Sequence, residues 1–422
     1  MQGGRRFRTL ALTAVAALAL AACGGGDDGG EDTNAGGGSS SKDGVLKLGY
    51  VFPESGELAH LGPPQISATK YAISEINKAG GVLGKPIPEV VGSDEGGKAE
   101  IANASVDRLL GQNVDGIIGA AASGMSLAIL DKVKSAQKVQ CSGSNTAPTF
   151  TDYNDDGFYF RTAPSDVLQG PILADTITGD GHDTVAITYR GDDYGKGLAE
   201  ATKAALENVG ATVPVMEAYE PNTTNFNATV SKIRDAKPDA VVMVSFQEGA
   251  QLGTKLIEAG FKANQFYSAD GMKDEEMAER FSKSDPSVIE GFKGTGPASV
   301  ENKEFTEGLK AFDPKLEVFQ YAPQVYDCVV VMALAAEAAK TDDPAVFKTK
   351  MNEVTKDGEK CTTFAQCRDL LKDGKDIDYD GASGPLDFTE PGEPGATEIE
   401  IYEYNDKGKF EIVDTVPSKP LT

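Results

Sequence analysis

The chain has 422 residues, 65 acidic against 40 basic side chains, a net charge of −25 at pH 7 and no tryptophan. That length can bury a substantial core and allows more than one domain. The acidity excludes a nucleic-acid ligand, whose phosphates it would repel, and adsorption on an anionic lipid surface.

Arg5-Arg6-Phe7-Arg8 opens the chain with positive charge, and an apolar run at 10–22 follows that is too short to span a membrane. It closes as Leu20-Ala21-Ala22-Cys23-Gly24, which looks like a bacterial lipobox. Residues 1–22 therefore read as a lipoprotein signal peptide. Cys23 reads as the lipidated end of an exported protein anchored to the cell membrane. Residues 23–44 are mostly Gly, Ser and Asp with almost nothing apolar, and are expected to be a disordered tether. No later stretch is apolar enough to cross a membrane; 329–339 is short, interrupted by Glu337, and reads as a buried helix.

A first strand is expected at 45–52, followed by a loop and by a helix opened by Pro63-Pro64 and ended by Gly80-Gly81. A second strand falls at 87–91, a helix at 98–110, a strand at 114–119, a helix at 126–137 and a strand at 139–142. Gly119 to Gly124 and Gly143 to Pro148 form two loops of small polar residues, each leaving the carboxyl end of a strand. In an open parallel sheet that is where ligands bind. Ser123, Ser144, Asn145 and Thr146 offer hydroxyl and amide groups to a small polar molecule there.

The alternation restarts after Phe158. Helices are expected at 165–177, 198–209, 226–236 and 250–259, and strands at 184–189, 213–219, 240–246 and 265–268. Gly291 to Gly296 reads as a crossing back to the first unit. Helices follow at 304–312, 325–339 and 344–354, then a turn-rich tail with short β pieces at 398–404 and 410–413. Strands alternating with helices imply parallel sheets covered on both faces. The expected class is α/β, with two doubly wound parallel-sheet lobes.

Cys361 and Cys367 close a short loop and are the preferred disulfide; Cys141 and Cys328 are either a second pair or buried thiols. Two histidines, His60 and His182, leave little for a metal site, and none is assigned. Two acidic stretches, from Asp152 and from Asp376, partly match calcium loops. The first lacks its closing acid, and the interior of the second, with Gly384-Pro385, is unlike one. There is no G-x-S-x-G elbow and almost no histidine base, so an enzyme is not expected.

These residues carry a resemblance along most of the chain. Ser55-Gly56, Ala72-Ile73-Ser74-Glu75-Ile76-Asn77-Lys78-Ala79-Gly80-Gly81, Val114-Asp115-Gly116-Ile117-Ile118-Gly119 with Ser123, and Thr146-Ala147-Pro148 come in that order. Phe160-Arg161-Thr162, Asp193-Tyr194-Gly195-Lys196-Gly197, Ala269-Asp270-Gly271 and Tyr379-Asp380-Gly381-Ala382-Ser383-Gly384-Pro385-Leu386-Asp387-Phe388 follow. Together they resemble the leucine/isoleucine/valine-binding proteins of ATP-driven (ABC) importers, of the type I periplasmic-binding fold.

The resemblance implies two lobes joined by a three-crossing hinge, with 45–163 and 295–385 in lobe I and 164–294 and 386–422 in lobe II. It implies a substrate-binding component that captures a branched-chain or other aliphatic amino acid in the cleft and delivers it to membrane permease subunits. It implies a monomer that uses no cofactor. Ser123, Ser144 and Thr146 would hold the ligand's α-carboxylate and α-ammonium. Tyr194 would close over the ligand, Phe246 would lie near it, and Asp270 would take the ammonium. Two features differ from the family's habit: Leu58-Ala59-His60-Leu61 stands where an aromatic is common, and Asp270 where Glu is common. Relatives of this fold also bind urea, short amides or aromatic acids, or signal to a partner protein.

Overall fold

The computed structural model describes residues 43–298 and 302–418. The signal peptide, Cys23 and nearly all of the tether lie outside the described residues.

The first sheet is built from β1 (Leu48–Phe52), α1 (Gly62–Lys78), β2 (Val91–Asp94), α2 (Ala99–Leu110), β3 (Gly116–Gly119), α3 (Ser123–Ser135), β4 (Val139–Ser142) and β5 (Tyr159–Arg161). Its strands run in the order β2-β1-β3-β4-β5 and all pair in parallel. Such strands are covered on both faces, so Gly116–Gly119 and Val139–Ser142 are buried throughout.

The chain then enters α4 (Asp166–Gly179), β6 (Thr184–Arg190), α5 (Asp193–Asn208), β7 (Thr212–Tyr219), α6 (Asn227–Ala236), β8 (Ala240–Val244), α7 (Gly249–Glu258), β9 (Phe266–Ser268), α8 (Met277–Phe281) and β10 (Lys293–Pro297). It returns to the first core as α9 (Lys303–Phe312), α10 (Ala322–Ala339), α11 (Pro344–Phe347), β11 (Glu359–Cys361), α12 (Phe364–Lys372), β12 (Ile377–Gly381) and β13 (Gly384–Pro385). A hairpin of β14 (Thr397–Tyr404) and β15 (Phe410–Ser418) completes the second sheet. That sheet has the order β15-β14-β10-β9-β8-β6-β7, parallel from β7 to β10 and antiparallel at the hairpin. The β8 run Ala-Val-Val-Met-Val is wholly buried. By contrast, β14 mixes acidic with apolar residues, burying Ile399, Glu400, Tyr402 and Tyr404, with a bulge between Ile401 and Tyr402.

Helix α10 is the apolar axis of the first core. It alone among the described helices has the length and hydropathy to cross a membrane, yet most of it is packed inside the protein against Leu48, Ile118 and Phe388. Cys328 on α10 is bonded to Cys141 on β4, with Cα atoms 5.7 Å apart, and Cys361 is bonded to Cys367 at 5.3 Å.

Several expected boundaries are corrected. Gly291 to Gly296 is no crossing: it lies largely in β10, which pairs with β9 and β14. Its glycines hide the pattern because Gly294 fits under the Tyr402 ring, where a Cβ would stand 2.3 Å from ring atoms. A division at 294/295 would cut that strand. A division at 385/386 misplaces Leu386 and Phe388, which pack in the first core. The second strand is shifted to Val91–Asp94 because Pro86 and Pro88 keep the preceding stretch unpaired. The helix expected at 344–354 shortens to α11 and a 3-10 turn, Lys348–Lys350. The third sheet, β11-β12-β13, and α12 were not expected.

The Cys141–Cys328 link joins residues 187 apart and the other joins residues 6 apart. Replacing Cys141 and Cys328 together by alanine is expected to cost about 2–5 kcal/mol of unfolding free energy. Replacing Cys361 and Cys367 should cost less, because the loop closed is far shorter. Urea denaturation of the two variants reads the order, and a reversed order rejects loop closure as the source.

Candidate functional site

The carboxyl ends of β1, β3 and β4 face those of β6, β8 and β9 across a cleft. Leu58 and Leu61, from the loop after β1, pack in one cluster with Tyr194, Phe246 and Ala269 of the second sheet and with Tyr321. The space left among them is a cavity of about 20 Å³. Ser123, Ser144, Tyr194, Phe246 and Asp270 all line it. Thr146 does not line it and is fully buried.

Asp270 follows β9 in a tight turn. Its Oδ1 accepts from Gln169 Nε2 at 3.0 Å and Tyr194 OH at 3.3 Å, and its Oδ2 accepts from Tyr321 OH at 2.5 Å. The Gln320 side chain donates to the Asp270 carbonyl at 3.0 Å. Gly271 is required next in sequence, since a Cβ there would stand 2.8 Å from the Tyr194 hydroxyl and 2.6 Å from the Ser245 carbonyl. Tyr194, in the first turn of α5, stacks on Phe246 at 5.2 Å between ring centres.

Behind Asp270 lies Asp166 in the first turn of α4, with no exposed surface. Neither of its oxygens makes a hydrogen bond of good geometry, although the Thr146 hydroxyl stands near enough to lower its pKa. Burial pushes the Asp166 carboxyl well up, and the charge of Asp270 pushes it further. Burial also raises Asp270, against the pull of its bonds from Tyr321, Gln169 and Tyr194. Two carboxyls so placed cannot both ionise cheaply.

The opposite wall is made by two loops of the first sheet. Ser123 begins α3, and its Oγ accepts from the Ala147 N–H at 3.3 Å. The Ser144 hydroxyl lies 3.1 Å from both Gln65 Oε1 and the Ala121 carbonyl. Asn145 points away from the cavity wall; its Nδ2 ties the Ala120 and Ala121 carbonyls, and its Oδ1 accepts from Tyr159 OH. Gly143 lets this loop sit against α10, where a Cβ would stand 2.6 Å from Val325 N. Arg161, wholly buried, donates to the Asn145 and Ala147 carbonyls and pairs with Glu393. Glu95, also wholly buried, accepts from the Ala121 and Ala122 N–H groups and so pins the loop before Ser123.

Sequence reasoning missed Asp166, Gln169, Tyr321, Gln65 and Glu95. Gln169 and Asp166 sit inside a helical pattern, and Tyr321 reaches Asp270 from 51 residues away. Only its left-handed backbone, φ +62°, marks it, and the sequence does not display that. Among the described residues no cluster of His, Cys, Asp or Glu has the arrangement of a metal site. In the second acidic stretch, Lys360 pairs with Asp378 and Asp380.

A profile of the family described as periplasmic binding protein matches residues 45–409. The Leu/Ile/Val-binding protein homolog 3 of Brucella melitensis is 25% identical over 372 residues, covering 86% of this chain and 92% of its own. The Leu/Ile/Val-binding protein BraC3 of Rhizobium johnstonii is 25% identical over 361 residues, covering 85% and 91%. Among solved structures, the leucine-binding protein LivK of Thermotoga maritima superposes with a TM-score of 0.73 at 20% identity over 88% of this chain and 99% of its own. LivJ of Streptococcus pneumoniae, solved with isoleucine, gives 0.72 at 22% identity over 88% and 99%. These two similarities carry the fold: type I, with mixed α/β lobes.

Burial pushes Glu95 up to about 8, against the two backbone N–H groups that favour its charge. Its folded pKa lies above the unfolded value, so the stability it contributes is present below about pH 4.5 and is lost as pH rises through about 8. Glu95→Gln should flatten the fall in unfolding free energy between about pH 5 and about pH 8. Unchanged slopes in chemical denaturation at the two pH values would sink this assignment.

Proposed function

Because this chain belongs to the periplasmic binding protein family, we propose that it is the substrate-binding component of an ABC importer, capturing a small α-amino acid between its lobes and delivering it to permease subunits. The observation that carries the reading is the small cavity with Asp270 on one wall and Ser123 and Ser144 on the other. Asp270, backed by Asp166, receives the α-ammonium, since a buried carboxylate is the natural partner for a desolvated ammonium. The α-carboxylate lies at the amino end of α3, where backbone N–H groups and the helix dipole favour an anion. Tyr194 and Phe246 cover the ligand, and Thr146 supports the acid pair from below. Relatives named for leucine, isoleucine and valine support an amino acid and supply the reference ligands. The lobes around the two sheets swing about their three connections, and the acyl chain on Cys23 keeps the monomer at the membrane. Contacts made by ligand only in the closed form would drive closure.

A ligand at a hundred times its dissociation constant adds about 2.7 kcal/mol of stability. Thermal melts with leucine, isoleucine and valine should therefore shift upward, and Asp270→Ala should abolish the shift. A variant that keeps the full shift rejects the ammonium role.

An ammonium seated beside Asp270 and Asp166 lowers both carboxyl pKa values, so the proton that the pair retains leaves on binding. Calorimetry in buffers of different ionisation enthalpy should detect up to about one proton released near neutral pH. Asp166→Asn should remove most of that release. Binding with no proton exchange at any pH counts against the shared proton.

A further inference from the structure

The cleft has a second chamber. A cavity of about 180 Å³ shares Leu58, Ala122 and Phe246 with the small one. Its far wall carries Arg190, which ends β6 and is only 5% exposed. The guanidinium sits over the Phe246 ring, 3.7 Å from its centre. Its Nε donates to Asp192 at 2.5 Å, and its Nη1 to Glu57 at 3.1 Å and Glu248 at 2.8 Å. Tyr219 holds Glu248 with a 2.8 Å bond. The remaining nitrogen, Nη2, donates to no group among the described residues. Glu57 comes from the first unit and Arg190 from the second, so this end of the chamber spans the cleft.

The chemistry of that end limits what can occupy it. A carboxylate would meet three acids that already outnumber the one guanidinium. An ammonium could pair with Glu57 but carries no acceptor, so it would leave the Nη2 donors unsatisfied. An alkyl end would strand the Nη2 donors away from water. A neutral group with a carbonyl oxygen beside N–H donors satisfies both sides: the oxygen accepts from Nη2, and the N–H donates to the Glu57 carboxylate.

Building on the amino-acid reading above, we propose that the ligand's side chain ends in a carboxamide or ureido group seated between Arg190 and Glu57. The selected ligand is then of the glutamine, asparagine or citrulline kind, and the branched-chain amino acids are secondary. Sites built to hydrogen-bond a side-chain end discriminate strongly against analogues that lack it.

Isothermal titration of the protein with L-glutamine, L-asparagine, L-citrulline, L-leucine and L-glutamate tests this. At least one of the first three should bind about tenfold or more tighter than both leucine and glutamate. Glu57→Ala and Arg190→Met should each narrow that gap toward parity, and Glu57→Ala, at a partly exposed position, serves if the arginine variant does not fold. Leucine binding as tightly as all three overturns the side-chain assignment and leaves the amino-acid reading standing. Binding of none of the five overturns both.

Discussion

A carboxylate that leaves water must be given donors or give up its charge, and the cleft is built around that demand at Asp270. Its three donors come from three separate parts of the chain: Gln169 from α4, Tyr194 from α5 and Tyr321 from the entry to α10. Each brings the element that bears it. Tyr321 brings the segment that returns from the second sheet to the first, and Gln320 beside it adds a bond to the Asp270 backbone. The cleft is thus organised by polar satisfaction at one side chain. The apolar cluster of Leu58, Leu61, Tyr194 and Phe246 then excludes water and strengthens those bonds.

The two walls are made rigid by different means. On the second sheet, Asp270 and Phe246 follow short buried strands, and Arg190 is locked by three carboxylates. On the first, the loops of small residues have no bulk of their own and are braced from behind. Glu95 holds one through backbone N–H groups, and Arg161 with Glu393 holds the other through backbone carbonyls. Small side chains in front and large polar ones behind leave the cavity open while holding the loop backbone in place.

Most of this was legible as architecture. Alternating apolar runs and helical spacing read out the two α/β units, because parallel strands buried on both faces are near-continuous apolar stretches, as in Ala240–Val244. Asp270 on the cavity wall was legible only through the family resemblance, since locally Ala269-Asp270-Gly271 reads as an ordinary turn, whereas Ser123 and Ser144 stood out in their small polar loops. Strand β10 was not, since Lys-Gly-Thr-Gly-Pro has no apolar alternation and owes its place to Tyr402 above Gly294. Nor were Tyr321, Gln169 and Arg190. Their roles depend on tertiary partners that no local pattern encodes. Thr146 was picked from a loop of uniform character, of which Ser144 lines the cavity and Thr146 does not.

The bond between Cys141 and Cys328 fastens β4, the strand before the Ser144 loop, to α10, the long buried helix of the first core. Floor and axle are thereby one solid piece. Such a joint ties β4, and with it the turn that follows, to the axis of the first core, so the two are covalently one piece. That arrangement belongs to an oxidising compartment. Made and kept among cytosolic thiols, the same polypeptide would lack this tie between strand and helix.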